Sequence, residues 1–287
     1  MSDHTGVTAP PNQDADNVDM SHGFLTAEDA ALGQGFVRDG YIVQQVADAG
    51  ALHKIRVSVV TIAAEHLGIA YPGDEGAFLN SIHERVTVTD LNAMRLAVYN
   101  GINAEPWLRE AYFDLARWGI EALVGNELAM QRRVNLSIQL PNDDSSLLPV
   151  HADVWSGDSP FEIVAWLPLV NCHQTKSMYI LPPVPNRKVS DRLHEFASQS
   201  GEDLFHAIEA DVEWIDIQYG QVLLFAQSLM HGNRINMETD TRWSMNCRFK
   251  SLFSPYADKR LGEFFEPITV RPATRLGMDY KLPSGFE

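Results

Sequence analysis

The chain has 287 residues, 45% of them hydrophobic and 21% charged, which is ordinary for a globular protein and enough to bury a full core. Its formal charge of −16 argues against nucleic acid or an anionic membrane as a partner, because phosphate-rich surfaces need clustered Lys and Arg. A small anionic ligand in a local basic pocket stays open. Only two cysteines occur, Cys172 and Cys247, each in an apolar, strand-like run; they read as reduced, buried thiols and offer no disulfide framework.

Residues 1–22 are polar and rich in Pro, Asn and Asp, and read as a disordered tail in which His4 and His22 are incidental. Residues 23–287 are expected to form a single domain. No basic region followed by an apolar run opens the chain, and no apolar run approaches the ~20 residues of a membrane span. The expected compartment is the reducing cytoplasm.

Residues 25–131 read as mostly helical. Thr26 followed by Glu28 and Asp29 suits a helix start, and "ALHKIRVSVVTIAAEHLG" carries apolar residues at helical spacing up to Gly68. "PWLREAYFDLARWGIEALVGNELAM" predicts a second long amphipathic helix, with Trp107, Leu108, Tyr112, Leu115, Ile120 and Leu123 in the core. From Arg133 the period becomes two. "RVNLSIQLP", "FEIVAWLPLVNC", "KSMYILP", "VEWIDI", "QVLLFAQ" and "TRWSMNCRFKSLF" predict strands, and a helix over residues 190–200 interrupts them. Helices first and strands second predict an α+β fold whose sheet closes, or nearly closes, into a barrel or jelly roll. The polar faces of the first and last of these strands carry Asn135, Gln139, Arg242, Ser244 and Arg248. They either face solvent or line an interior that holds a ligand; the pattern leaves both open.

"LLPVHADVWSGDSP" places His151 and Asp153 two apart, after a strand and a polar turn. Ten histidines among 38 acidic residues give about one such pair by chance, so the motif carries weight only through its setting. An imidazole and a carboxylate at a strand mouth can share one Fe(II) ion, provided a second histidine arrives from elsewhere. His231, in "FAQSLMHGNRIN", follows an apolar strand and is the candidate. His53, His66 and His194 fall on helical segments, and His173 on a loop beside Cys172. Arg242 and Ser244 share a strand face beyond His231. A guanidinium and a hydroxyl pointing one way suit a distal carboxylate.

An H-x-D pair, a later histidine and then R-x-S in a strand-rich half resemble the Fe(II)/2-oxoglutarate-dependent oxygenases, and the resemblance runs over nearly the whole chain. "GFVRDGYIVQQVADAGALHKIR" resembles the opening of the phytanoyl-CoA dioxygenase-like branch. "VNLSIQLPNDDSSLLPVHADVWSGDSPFEIVAWLPLV", "HGNRIN" and "RWSMNCRFKSLFSP" are most similar to StrG-like oxygenases of carbohydrate and aminoglycoside biosynthetic clusters. The resemblance implies a double-stranded β-helix (jelly-roll, cupin-like) core flanked by N-terminal helices. It implies His151, Asp153 and His231 as iron ligands and Arg242 with Ser244 on the far carboxylate of 2-oxoglutarate. Gln139 and Asn135 would face cosubstrate or substrate. The implied cofactors are Fe(II), 2-oxoglutarate and O2, with ascorbate as an aid in vitro. The implied reaction is oxidation of a C–H bond, hydroxylation by default. Asp153 disfavours halogenation, since halogenating relatives lack that carboxylate.

Substrate contacts are expected from Trp155, Asp158, Glu162, Tyr179 and Arg248, which suit a sugar, an aminosugar or a nucleotide-linked sugar. The protein is expected to be a monomer or homodimer. "TKSMYILPPVPNRKVS" replaces the family's Gly-rich stretch after the metal loop, so no lid contact carries over there, and Lys176 reads as a solvated strand-end lysine. The competing readings are a cupin-like, metal-dependent sugar isomerase or epimerase and a non-catalytic ligand-binding barrel. Neither needs an arginine and serine after His231.

Overall fold

The computed structural model describes residues 24–285; the tail expected over residues 1–22 lies outside them. Helix α1 (Ala27–Asp39) starts where Thr26 Oγ1 accepts the Asp29 N–H at 3.0 Å, and stops at Gly40, whose φ of 79° is left-handed. A Cβ at Gly40 would stand 2.2 Å from Leu229 Cδ1, so glycine also allows the close packing there. Strand β1 (Tyr41–Gln45) follows, then α2 (Ala49–His66), α3 (Glu75–Asn80) and α4 (Val88–Ala104).

The single long helix predicted after Pro106 is two helices, α5 (Leu108–Asp114) and α6 (Arg117–Val124). The Leu115 carbonyl accepts the Ala47 N–H at 2.9 Å, and Ala116 leaves helical geometry at φ −131°. That bond ties the helix break to the end of β1. Gly125, at φ 93°, ends α6, and the last residues of the predicted helix turn into β2 (Leu128–Gln131).

Strands β3 (Asn135–Gln139), β4 (Glu162–Pro168), β7 (Gln221–Ala226) and β9 (Arg242–Ser251) fall within the alternating segments, while β10 (Phe265–Thr269) lies past the last of them and is not among the predicted strands. They join β1 and β2 in a seven-stranded antiparallel sheet of order β1-β7-β4-β9-β2-β10, with β3 also paired to β9. A second, three-stranded sheet has the order β6-β5-β8, from β5 (Tyr179–Ile180), β6 (Glu213–Trp214) and β8 (His231–Gly232). "KSMYILP" thus yields a strand of two residues, and "VEWIDI" a strand of two residues with an isolated bridge from Ile217 to Cys172. The helix predicted over residues 190–200 is a 3-10 turn, Leu193–Phe196, with α-helices on either side of it. Pro183 starts α7 (Pro183–Ser190), and a Ser200–Asp203 capping box starts α8 (Gly201–Ile208). Helix α9 (Pro272–Asp279) ends the described chain.

The alternation decides which face is which. Trp243, Met245, Cys247 and Phe249 of β9 are fully buried toward the helices, where α3 and α6 pack against that strand. The opposite face of β9 carries Arg242, Ser244, Asn246 and Arg248, and the β3 register sets Gln139, Ser137 and Asn135 opposite the first three of these. Arg242, Asn246, Arg248, Ser137 and Asn135 of this face line a cavity, while Ser244 and Gln139 are buried outside its lining. Cys172 and Cys247 are buried and unpaired, as expected. No helix among the described residues is long and apolar enough to cross a membrane.

Candidate metal centre and carboxylate pocket

His151 and His231 meet although eighty residues of chain separate them. Their backbones exchange two hydrogen bonds, His151 N–H to the His231 carbonyl at 3.0 Å and the reverse at 2.8 Å. That isolated bridge extends the edge of β8 and fixes the two rings 4.3 Å apart. Gly232 must be glycine here: a Cβ would come 2.6 Å from the Tyr179 hydroxyl and 2.8 Å from the Leu148 carbonyl. Asp153 opens a 3-10 turn, Asp153–Ser156, and its N–H is anchored on the Gln227 carbonyl at 3.0 Å. The turn brings its carboxylate back under both imidazoles.

The protonation pattern of this cluster follows from its outer contacts. His151 Nδ1 lies 2.9 Å from the Pro149 carbonyl, and His231 Nδ1 lies 2.8 Å from the Leu229 carbonyl. A carbonyl only accepts, so each Nδ1 carries a proton and each Nε2 is the ring atom turned into the cluster. Burial, reinforced by His151, lowers the His231 pKa to about 4, so this ring is neutral near pH 7. Both Nε2 atoms face Asp153 Oδ1, at 3.5 Å from His151 and 3.9 Å from His231. Burial works to raise the Asp153 carboxyl, but its contact with His151 and the charge of Arg248 prevail and hold it well below the usual carboxylate range. Three potential ligand atoms, two imidazole nitrogens and a carboxylate oxygen, therefore converge within 4.8 Å of one another, an arrangement that a metal cation stabilises.

The cluster lies in the wall of a cavity of about 730 Å³, which Asn135, Ser137, Arg242, Asn246 and Arg248 also line. Arg242 is buried and has no carboxylate partner among the described residues. Its Nη1 donates to the Ser177 carbonyl and its Nη2 to Ser137 Oγ, both at a long 3.2 Å, and Nε has no partner. Burial lowers its pKa to about 10, which still leaves it charged at neutral pH. The hydroxyls of Ser244 and Ser177 are buried and equally unpartnered, although neither residue is part of the cavity lining. A buried guanidinium without a counter-charge is costly unless an anionic ligand joins it.

The other expected residues divide. Asn135 lines the cavity and donates to Asn246 Oδ1 at 3.0 Å. Asp158 and Arg248 also line it, and form an ion pair at 3.2 Å. Gln139, expected on the cosubstrate, is spent elsewhere: it is fully buried outside the cavity lining, its amide nitrogen on the Arg234 carbonyl and its oxygen on Asn233. Tyr179 is fully buried outside the lining too, packed on Phe205 and Trp214. Trp155 is 44% exposed and lies outside the lining. Glu162 is buried below the site, where it accepts from Gln227 and the Ser159 N–H. Lys176 is not solvated but buried, its Nζ bonded to Asn80 Oδ1 at 2.8 Å. Two groups escaped the sequence reading. Ser137 and Asn246 sit on the polar strand faces already suspected, so the period-two alternation could have found them. Asn92, Arg95 and Lys259 line the cavity from α4 and from a loop, and nothing local to their segments signals it.

No protein-family model and no curated protein matches this chain. Solved structures do resemble it. "Non-heme monooxygenase, ThoJ-Ni complex" aligns at TM-score 0.50 and 16% identity over 85% of each chain. EctD from S. alaskensis, with 2-oxoglutarate and 5-hydroxyectoine, aligns at 0.50 and 17% identity over 81% of this chain and 78% of its own. HygX from Streptomyces hygroscopicus, with nickel and 2-oxoglutarate bound, aligns at 0.50 and 14% identity over 83% and 90%. At these identities the likeness is one of fold.

Proposed function

We propose that this protein is an Fe(II)- and 2-oxoglutarate-dependent dioxygenase that oxidises, and by default hydroxylates, a C–H bond of a small polar metabolite. One observation carries the reading: a three-donor metal cluster and a buried guanidinium without a carboxylate partner share one cavity. An isomerase or a passive barrel gives Arg242 no task; a dicarboxylate cosubstrate does. The resembling solved structures hold nickel and 2-oxoglutarate in one case and 2-oxoglutarate with a hydroxylated product in another, which supports the same reading. We take the two antiparallel sheets as the halves of a double-stranded β-helix, and residues 23–287 as one cytoplasmic domain. A carbohydrate-type substrate, as in the StrG-like branch, suits the many amide and hydroxyl groups of the cavity.

His151 Nε2, His231 Nε2 and an Asp153 oxygen would hold the iron, which when bound supplies open coordination positions for activating O2 as 2-oxoglutarate is oxidised to succinate. The chain's own residues do the rest. The Pro149 and Leu229 carbonyls fix the imidazole tautomers. Arg242, with the Ser244 and Ser177 hydroxyls, anchors the distal carboxylate and so sets the orientation of the cosubstrate. Trp166, Met178 and Phe225 give the cavity an apolar side that keeps water from the reacting carbon.

The test is anaerobic. Protein loaded with Fe(II) should develop a weak visible absorption band on addition of 2-oxoglutarate. If the band is absent, or persists undiminished in both Asp153→Ala and Arg242→Ala, the reading is wrong.

A further inference from the structure

The charge in the cavity is opposite to that of the protein. On a chain of formal charge −16, the lining carries four cationic side chains, Arg95, Arg242, Arg248 and Lys259, against two carboxylates, Asp153 and Asp158. Arg248 is committed to Asp153 at 2.7 Å, and Lys259 pairs with Asp158. Arg242 is committed to the cosubstrate on the reading above, on which this inference rests. A divalent iron and a dianionic cosubstrate cancel each other, so the positive excess of the lining survives loading.

What remains is Arg95. Helical spacing brings Val88, Leu91, Asn92 and Arg95 onto one face of α4, and that face forms a wall of the cavity. Arg95 has no carboxylate partner among the described residues. Its Nη2 donates to Asn92 Oδ1 at 2.7 Å, one turn back on the same helix. That bond uses one of five donors and restrains the guanidinium, and the others stay available. Asn92 also presents an amide to the same space.

We infer that the substrate carries an oxyanion, a carboxylate or a phosphate, and that Arg95 is the specificity-determining residue that receives it. The lining then selects against the protonated amine of an aminosugar and in favour of an acidic or phosphorylated carbohydrate-like molecule. The positive cavity in a negative surface also focuses such a ligand electrostatically.

The experiment separates this inference from the cofactor assignment. Protein is loaded anaerobically with Fe(II) and saturating 2-oxoglutarate, so that Arg242 is taken, and formation of the visible band is recorded first. Sodium sulfate, a phosphate-like probe, sodium acetate, a carboxylate-like one, and methylammonium chloride are then titrated by calorimetry at constant ionic strength. One of the two anions should bind with a millimolar dissociation constant. Arg95→Gln should weaken it about tenfold or more, as expected for loss of a charge-assisted contact. Arg95→Lys should stay within about threefold, since it keeps the charge, and the band should form in both variants. Preference for sulfate would assign a phosphate ester, and preference for acetate a carboxylate. No anion binding, equal binding to Arg95→Gln, or binding of methylammonium instead would overturn the inference while the band stands. Absence of the band itself would remove the cofactor reading and this inference with it.

Discussion

Arg248 Nη2 forms an ion pair with Asp153 Oδ2 at 2.7 Å, on the side of the carboxylate away from the histidines. The carboxylate thus has one oxygen pinned by a cation and the other, Oδ1, turned to His151 and His231. The arginine is held in turn: its Nε donates to Gln227 Oε1 at 3.1 Å. A ligand whose second oxygen is fixed loses little freedom when a metal arrives. Arg248→Met should therefore lower Fe(II) or Ni(II) affinity by about 10- to 100-fold with the three donors intact. Metal titration by calorimetry checks this, and an unchanged affinity would show that Arg248 only balances charge.

Direct ligands should behave differently. Asp153→Ala and His231→Ala should abolish metal binding in the micromolar range. His173→Ala should leave it intact, because His173 is about half exposed and pairs with Glu238 at 3.9 Å, outside the cluster. Equal losses in all three variants would overturn the ligand set.

Arg242 gives a prediction with two signs. In the ligand-free protein its charge is buried and uncompensated, so Arg242→Met should leave the melting temperature unchanged or raise it. The same variant should lose 2-oxoglutarate binding. Saturating 2-oxoglutarate at about 100 times its dissociation constant should stabilise the metal-loaded wild type by about 2.7 kcal/mol, and the variant by nearly nothing. Differential scanning fluorimetry with and without the cosubstrate reads both. A variant that melts far lower without ligand would make Arg242 a structural residue.

The metal-free protein should weaken in mild acid. The pKa of His231 is about 4 when folded, below its ordinary 6.5, so between these values the unfolded chain binds a proton that the folded one refuses. Stability from this group is full above pH 6.5 and declines as pH falls to 4, by about 3 kcal/mol at the limit. The lowered carboxyl of Asp153 acts in the same direction below its ordinary 3.8. Melting curves of chelator-treated protein should show the fall, and His231→Gln should flatten it between pH 6.5 and 4. A parallel fall in the variant would assign the effect to other groups.

Gly232→Ala tests how the two histidines are brought together. Its Cβ would meet the Leu148 backbone, which cannot swing aside as a side chain can. We expect a loss of about 1–3 kcal/mol of stability and weaker metal binding, since the bridge between His151 and His231 must shift. Wild-type metal affinity in the alanine variant would mean that the bridge does not set the ligand geometry.

The sequence by itself determined the order of the fold, helices first and strands after, because a period of 3.6 and a period of 2 are written in the spacing of apolar residues. It determined which strand faces are polar, and thereby the positions of Asn135, Arg242, Ser244 and Arg248. It marked His151, Asp153 and His231 as candidates from their place at strand ends. Short strands, the break at Ala116 and the helices around residue 190 were less legible, since each is decided by hydrogen bonds to distant segments, as Leu115 with Ala47 shows. Only the tertiary structure decided whether the polar face of β9 is wet or enclosed, for alternation is the same in both cases. It alone withdrew Gln139 and Tyr179 from the cavity, by giving them other partners or burying them in another cluster. And it alone brought Arg95 to the site, because the meeting of a helix with a sheet depends on contacts that no local pattern encodes.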